Sequence, residues 1–493
     1  MTDSGLSWGI RWSGISMVGR EVSRMVFVVL LARVIGPEAF GTVAQALVYV
    51  GVVGLLLDQG FSSALIQREH VEPDMPGAVV TVNLGVGAAL TVLTVAIAPL
   101  WASFMRTPEL GLVLVALAPC LIIRAASITP RAMLQREMEF RRIGIADITA
   151  ALVGGAAGLV VALTGGSYWA LVVQILVTDA VLAVAFLLVG AGHRPNLHFR
   201  RLQEIAAFSW RAFAAGILVN SVSRNIDNLL VGRFHGPQAL AFYGLAYRLL
   251  LLPVQLASAT VGAVLFPAFS RLAHDLGALR RELARATRTD ATLALPVMTF
   301  AAVAAPQLVF VLFGPQWNPA VPIVQVLALA GAMQAIYQPS TAPLMLGLGH
   351  ATLNLRYAWL TTAASTAGIV AGLPFGPFGV AAGYSLATGL IVPVEWLIRR
   401  RLLGVSLRDQ IGLLVPGAHT AMWVGATYLL IAAAVPGHEL VVLGLGSLAT
   451  AAAGGVVLRL AHPSQCAELR HMVERVLGVQ DRPATAEGQP THG

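Results

Sequence analysis

About fourteen apolar runs, most of them near twenty residues long, follow one another along this chain, and only short polar segments separate them. A helix of about 20 mostly apolar residues is long enough to cross a bilayer. Only 11% of the 493 residues are charged, whereas soluble domains have about 25%. The sequence therefore predicts an all-α polytopic membrane protein. The predicted spans are 12–34, 40–57, 78–100, 109–128, 145–164, 168–190, 206–232, 239–266, 291–313, 320–337, 354–373, 377–398, 410–433 and 439–460.

The net charge of the chain is +8, and all 32 of its basic residues are arginine. A basic chain can indicate nucleic-acid binding, but here the arginines concentrate in alternate loops, as the positive-inside rule describes. We therefore expect no nucleic-acid partner, and we expect both termini to be cytoplasmic. The arginines of the predicted cytoplasmic loops are Arg131, Arg136, Arg141, Arg142, Arg194, Arg200, Arg201, Arg271, Arg280, Arg281, Arg285, Arg288, Arg399, Arg400, Arg401 and Arg408. The opposite loops hold Arg33, Arg106 and Arg233.

An internal repeat relates residues 21–40 to residues 221–240 without a gap. Arg24 aligns with Arg224, and a Gly-Pro pair follows at the same place in both segments. The copies begin in the first and seventh predicted helices, an offset of six, so they share one orientation and are related by an axis along the membrane normal, an arrangement known in transporters. The predicted organisation is an N-terminal six-helix lobe at 1–200, a second lobe at 201–400, helices 13 and 14 at 401–460, and a partly disordered cytoplasmic tail at 461–493.

Charged and polar residues also lie inside several of the apolar runs, where insertion of each charge costs at least about 2.5–3.5 kcal/mol. They are Arg20, Glu21 and Arg24 in the first helix, Asn220, Arg224, Asp227 and Asn228 in the seventh, and Arg248 in the eighth. A guanidinium group binds phosphate with two parallel N–H···O hydrogen bonds. We therefore interpret these polar residues as a cationic substrate site between the lobes. Glu21 and Asp227 are the acids available for ion coupling. The alternative is that Arg24–Glu21 and Arg224–Asp227 ion pairs, with Arg248 neutralising Asp227, only fix helix packing.

Three motifs of catalytic or nucleotide-binding proteins are absent from the sequence. There is no GxxxxGK[ST] phosphate-binding loop, no HExxH zinc motif and no GxSxG nucleophile elbow. No predicted cytoplasmic loop is long enough to hold a catalytic domain. We therefore expect a protein that is not an enzyme, with no catalytic residue, no cofactor and no metal site.

Four segments carry a resemblance to a known family: LLARVIGPEAFGTVAQALVYVGVVGLLLDQGFSSALIQRE (30–69), NIDNLLVGRFHGPQALAFYGLAYRLLLLP (225–253), LFPAFSRL (265–272) and GPFGVAAGYSLATG (376–389). They resemble the polysaccharide-biosynthesis, or O-antigen-type, flippases of the multidrug/oligosaccharidyl-lipid/polysaccharide exporter superfamily. The resemblance implies two six-helix bundles plus two helices in a bacterial inner membrane. It implies a flippase for undecaprenyl-diphosphate-linked oligosaccharide, with a cationic cavity at Arg20, Arg24 and Arg224. Glycan polymerases and glycosyltransferases would be partners besides the membrane lipids.

Two other functional readings remain open. A multidrug extruder of the same superfamily would have an acidic cavity that attracts cations, whereas the charges here are mainly basic. A membrane-embedded glycan-assembly enzyme, such as a glycosyltransferase or acyltransferase, would need a carboxylate pair or a catalytic histidine at the mouth of a loop, and the sequence shows none that stands out. A scaffold for such enzymes would have no need of the polar residues inside the helices. We hypothesise that the chain works by alternating access.

Overall fold

The computed structural model describes residues 3–57, 61–68, 70–191, 194–198, 226–250, 265 and 267–477. The regular structure of this part is helical, and the described residues contain no strand. The helices are α1 (Asp3–Gly54), α2 (Phe61–Gln67), α3 (Met75–Met105), α4 (Leu110–Leu117), α5 (Pro119–Arg136), α6 (Phe140–Leu163), α7 (Trp169–Phe186), α8 (226–250), α9 (Leu276–Val303), α10 (Ala305–Phe313), α11 (Val321–Gly347), α12 (Ala351–Gly372), α13 (Gly376–Leu403), α14 (Leu407–Gly412), α15 (Val415–Ala434), α16 (Glu439–Ala461) and α17 (Pro463–Leu477).

The described helices are long and apolar enough to form nine membrane spans, or ten if the bent pair α9–α10 is one span. Each predicted span that lies in the described part coincides with a helix or a pair of helices. Most of the predicted span 206–232 and the second half of the predicted span 239–266 lie outside the described residues. The prediction of an all-α polytopic membrane protein is confirmed.

Two of the predicted spans, 12–34 and 40–57, form one continuous segment that bends at a glycine. Gly36 has φ 77° and ψ 171°, which are not helical values, and Pro37 follows it inside α1. Gly236, its counterpart in the predicted repeat, also has a positive φ, 83°, and precedes Pro237. Glycine adopts positive φ without the steric cost that a Cβ brings, so both copies of the repeated sequence use it at the same bend.

The chain divides into two compact units that are not continuous in sequence. Unit 1 comprises Met1–Leu249, Leu308–Leu327 and Ala358–Ala387, and unit 2 comprises Leu250–Gln307, Ala328–Tyr357 and Thr388–Gly493. The predicted lobes, with boundaries at 200 and 400, stay a prediction.

Within unit 1, the two copies of the repeated sequence pack against each other near their bends. A Cβ placed on Gly41 would lie 1.8 Å from the carbonyl oxygen of Pro237, so only glycine permits this approach. Close by, the buried amide of Gln45 donates a 2.9 Å hydrogen bond to the carbonyl oxygen of Gly232. The absent side chain at position 41 therefore lets α1 and α8 meet backbone to backbone.

Small residues give the same close approach elsewhere in unit 1. The sequence predicts close packing of the GxxxG kind in its fifth helix, and in α6 a Cβ on Gly154 or Gly158 would lie within 3 Å of atoms of α7. The helices α12 and α13 meet in the same way, since a Cβ on Gly383 would lie 2.0 Å from the carbonyl oxygen of Gly368. Between helices in lipid, van der Waals contact replaces the hydrophobic driving force, so small residues at the contact favour association.

The first half of the predicted tail forms a helix, α17, which packs on α9 within unit 2. Arg285 of α9 forms a 2.8 Å ion pair with Glu468 of α17. At the start of α17, the rings of His419 and His462 share a 3.1 Å hydrogen bond. Burial and the neighbouring His419 lower the pKa of His462, so this ring is neutral at pH 7 and available to the bond. The segment 481–493, predicted to be disordered, lies outside the described residues.

Candidate functional site

The charged residues predicted in the first helix lie on α1 and form ion pairs within unit 1. Arg20 bonds Glu21 through its Nε at 3.1 Å. Arg24 lies 3.7 Å from the same carboxylate, and 63% of its side chain is exposed. The predicted Arg24–Glu21 pair is therefore present but long, and Glu21 lies closer to Arg20.

A buried carboxylate of α6 joins two of the arginines. Asp147 is 6% exposed and accepts a 3.1 Å hydrogen bond from Nη1 of Arg20. Arg131 of α5 approaches the same carboxylate with both terminal nitrogens, at 2.9 and 3.0 Å. Arg131 was predicted in a loop, but it lies in a helix, because α5 continues to Arg136; its predicted cytoplasmic side stays a prediction. One carboxylate thus holds two guanidinium groups.

A second ion pair lies beside the first. Arg124 of α5 contacts Asp179 of α7 at 2.7 Å. Arg24 lies within electrostatic range of Asp179 and of Arg248, and Arg248 lies over the ring of Phe40 at 5.9 Å. We call Arg20, Arg24, Arg124, Arg131 and Arg248 the arginine cluster.

The arginine cluster carries an excess of positive charge. Among the described residues, its five guanidinium groups neighbour three carboxylates, those of Glu21, Asp147 and Asp179, which leaves a net charge of +2 for this set. Arginine stays protonated at any working pH, so the excess is permanent. Arg24 has the longest ion pair and the most exposed side chain of the paired members, and it is therefore the paired member best placed to bind an anion.

The predicted polar stripe of the seventh helix is described only in part. Asn220 and Arg224 lie outside the described residues. Asp227 is 4% exposed and accepts a 3.0 Å hydrogen bond from the hydroxyl of Tyr243 and a 2.8 Å bond from the backbone of Asn228. Asn228 itself is half-buried. In the described part of unit 1, Arg248 forms no ion pair with Asp227, contrary to the packing alternative.

Unit 2 contains a buried arginine that the sequence analysis placed in a loop. Arg399 was predicted to follow the twelfth helix, but α13 extends to Leu403 and the residue is 1% exposed. Its guanidinium donates to Thr287 at 2.9 Å and to Ser340 at 2.8 Å. It also lies over the ring of Tyr337 at 4.8 Å. Neutral partners thus supply its hydrogen bonds.

Two buried carboxylates lie in the same region of unit 2. Asp290 is fully buried, and neither of its oxygens has a hydrogen-bond partner among the described residues. Glu395 accepts a hydrogen bond from Tyr357 through one oxygen, and its other oxygen has no partner. Arg399 is close enough to act electrostatically on both. Its charge offsets part of the cost of burying them.

Sequence reasoning missed Arg124, Asp147 and Asp179 in unit 1, together with Asp290, Glu395 and Arg399 in unit 2. A signal for most of them was present, because each of the first three is a single charged residue inside or at the edge of an apolar run. A search of every run, and not only of the repeat-related helices, would have found them. Arg399 had no such signal, since it begins a run of three arginines.

Replacement of Arg399 by alanine should destabilise the protein. It removes the donor to Thr287 and Ser340 and leaves the Asp290 and Glu395 carboxylates without a nearby positive charge, which costs on the order of 3 kcal/mol. We expect a clearly lower unfolding temperature for the purified Arg399→Ala variant in detergent. Arg400→Ala is the matched control, because Arg400 is the exposed neighbour on the same helix. Equal unfolding temperatures for the two variants would show that the buried guanidinium contributes little.

Comparison with known proteins places this architecture in a family. The chain is 24% identical over 411 residues to the lipopolysaccharide biosynthesis protein WzxC of Escherichia coli (strain K12), with 82% of each chain covered. It is 26% identical over 367 residues to the succinoglycan biosynthesis transport protein ExoT of Rhizobium meliloti (strain 1021), with 74% of this chain and 73% of that protein covered.

The fold is similar to that of the lipid II flippase MurJ in an inward closed conformation. The TM-score is 0.70 and the identity 15%, over 91% of this chain and 98% of that one. The family model described as "Polysaccharide biosynthesis protein" matches residues 30–322. Since this match spans more than half of the sequence, the chain belongs to the polysaccharide biosynthesis protein family.

Proposed function

We propose that this protein flips a polyprenyl-diphosphate-linked oligosaccharide, carried on undecaprenyl diphosphate, from the cytoplasmic to the outer leaflet of a bacterial inner membrane. The observation that carries the proposal is the arginine cluster, a permanent positive charge among membrane helices. Family membership and the similarity to WzxC and ExoT, whose names refer to polysaccharide biosynthesis and transport, support it. The protein is a transporter and not an enzyme.

The charge and geometry of the cluster suit a diphosphate. A diphosphate esterified at both ends carries two negative charges, which match the net +2 of the arginine cluster and its carboxylates. Guanidinium groups offer paired N–H donors to phosphate oxygens. In this proposal Arg24 and Arg248 contact the diphosphate, and Arg20 lies beside them. Asp147 holds Arg20 and Arg131 in place. Asp179 holds Arg124. By the repeat, Arg224, Asn220 and Asn228 extend the site.

The membrane potential can drive such a transfer without ATP. Movement of one charge through 100 mV is worth about 2.3 kcal/mol, so two negative charges moving outward across an inside-negative membrane gain roughly 4–5 kcal/mol. Arginine does not release its proton at working pH. Any coupling to protons therefore requires an acid, and the candidates are Glu21, which bonds Arg20, and Asp227 of the predicted polar stripe. Alternating access would carry the diphosphate across while the lipid tail stays in the bilayer.

The two competing functions fit the described residues less well. An extruder of cationic drugs needs negative charge at its binding site, whereas the arginine cluster is positive. A scaffold for glycan assembly needs no excess charge inside its helices, where each charge is costly. Glycan polymerases and glycosyltransferases enter the proposal as partners that use or supply the flipped lipid.

Replacement of Arg24 and Arg248 by alanine should abolish transport while leaving folded protein in the membrane. Each loss removes a charged hydrogen bond worth about 1.5–3 kcal/mol, so we expect at least a tenfold fall for each single variant. The measurement is flipping of a fluorescent polyprenyl-diphosphate monosaccharide in proteoliposomes. Lysine at either position should restore only part of the rate, because it keeps the charge but loses the paired donors.

The control for these variants is Arg459→Ala, which removes an exposed arginine from the end of α16. It should transport at the wild-type rate. Full transport by the double variant Arg24→Ala/Arg248→Ala, at a normal level of folded protein, would contradict the proposed role of the arginines.

The proposed topology has both termini and the arginine-rich loops in the cytoplasm. Single cysteines introduced at His274 and Leu407 should then resist an impermeant thiol reagent in intact cells, whereas one at Asn318 should react. All three positions are exposed, so accessibility depends only on the side of the membrane. Replacement of Cys466 by serine removes the half-buried native thiol, and Cys120 is buried. Labelling at His274 from outside would reverse the topology.

A further inference from the structure

An open groove of about 680 Å³ lies where α3 ends and α4 begins, entirely within unit 1. Apolar atoms form most of its walls, among them those of Ala98, Pro99, Leu112 and Val115. Leu112 is 65% exposed and Val115 40%. In the described part of the chain, no protein segment covers these side chains, and in a membrane their neighbour is lipid.

One charged residue, Arg106, lies in the lining of this groove. Its side chain is exposed and forms no ion pair or hydrogen bond with another described residue. The nearby Glu109 is outside the lining and does not pair with it. The groove therefore combines an apolar wall with an unpaired guanidinium.

The backbone of Arg106 is held in an unusual conformation. Its φ is 58° and its ψ 34°, the left-handed region, where it ends α3 through bonds from its N–H to the carbonyl oxygens of Ala102 and Ser103. Glycine is the common residue at such a position because it has no Cβ to strain. An arginine kept there at a conformational cost is an outlier of the kind that marks a functional position.

The position of Arg106 along α3 fits the depth of a lipid headgroup. The 31 residues of α3 span about 46 Å at 1.5 Å per residue, whereas the hydrocarbon core is about 30 Å thick. The end of the helix therefore lies among the headgroups, and the groove extends from there along α3 toward the acyl chains.

We propose that this groove is a binding site for an anionic phospholipid. The phosphate binds the guanidinium of Arg106 with the hydroxyl of Ser103 beside it, and one acyl chain lies against Pro99, Leu112 and Val115. The inference depends on the groove alone and not on the transported substrate. It predicts a preference for phosphatidylglycerol over the zwitterionic phosphatidylcholine.

The test uses the full chain in nanodiscs that contain a phosphatidylglycerol with a photoactivatable diazirine in one acyl chain. Irradiation followed by peptide mass spectrometry should place crosslinks within residues 98–115, and unlabelled phosphatidylglycerol should compete better than phosphatidylcholine. In Arg106→Gln, competition by phosphatidylglycerol should weaken about fivefold, the effect of about 1 kcal/mol for one arginine at a membrane surface. Arg106→Lys should keep most of the competition by phosphatidylglycerol, because lysine retains the positive charge.

Two further variants distinguish lipid binding in the groove from lipid binding elsewhere on the protein surface. Gly111→Leu should fill the groove and reduce crosslinking by both lipids, since a Cβ there meets only the Cβ of Ala102 at 3.6 Å and the carbonyl oxygen of Ala98 at 3.9 Å. Arg459→Gln, an exposed arginine outside the groove, should behave as wild type. Equal competition by the two lipids, or unchanged crosslinking in Arg106→Gln, would overturn the proposal. So would displacement of the probe by a polyprenyl diphosphate, which would make the groove part of the transport path.

Discussion

The cost of placing charge inside a membrane determines how the polar residues of this protein are arranged. An isolated charge in an apolar helix is costly, and the chain offsets this cost by sharing carboxylates between arginines. Asp147 is the central example, because it is almost fully buried and yet bonds both Arg20 and Arg131. Asp179 bonds Arg124 and lies within electrostatic range of Arg24. Among the described residues, the acids are too few to neutralise every arginine of the cluster, and the remaining positive charge is what the proposed diphosphate would bind.

In unit 2, hydrogen bonds to neutral groups offset the free-energy cost of burying a charged arginine. Arg399 donates to the hydroxyls of Thr287 and Ser340 and lies over the ring of Tyr337. Nearby, the carboxylate of Asp290 has no hydrogen-bond partner among the described residues. The two groups of buried charges thus differ: the arginines of unit 1 bond carboxylates directly, whereas the guanidinium of Arg399 in unit 2 bonds neutral hydroxyls and acts on Asp290 and Glu395 only through its charge.

The helices were predictable because a span is a local property of twenty successive residues. The bends at Gly36 and Gly236 were also visible, since each Gly-Pro pair breaks an apolar run. The ion partners were not predictable, because Asp147 is 127 residues from Arg20 and only the packing of α6 on α1 brings them together. Arg399 shows a different limit. Its neighbours Arg400 and Arg401 make it look like a loop residue, but α13 continues to Leu403 and Arg399 is buried.

The central claim is that the arginine cluster holds the diphosphate of a lipid-linked glycan. The most direct measurement is native mass spectrometry of the protein purified from cells that make the glycan, with the bound lipids released and identified. We expect a polyprenyl-diphosphate-linked glycan bound one to one in the wild type, and its loss from an Arg24→Ala/Arg248→Ala variant that retains its phospholipids. A wild-type protein that copurifies with phospholipids alone, or a variant that keeps the glycan lipid, would contradict it.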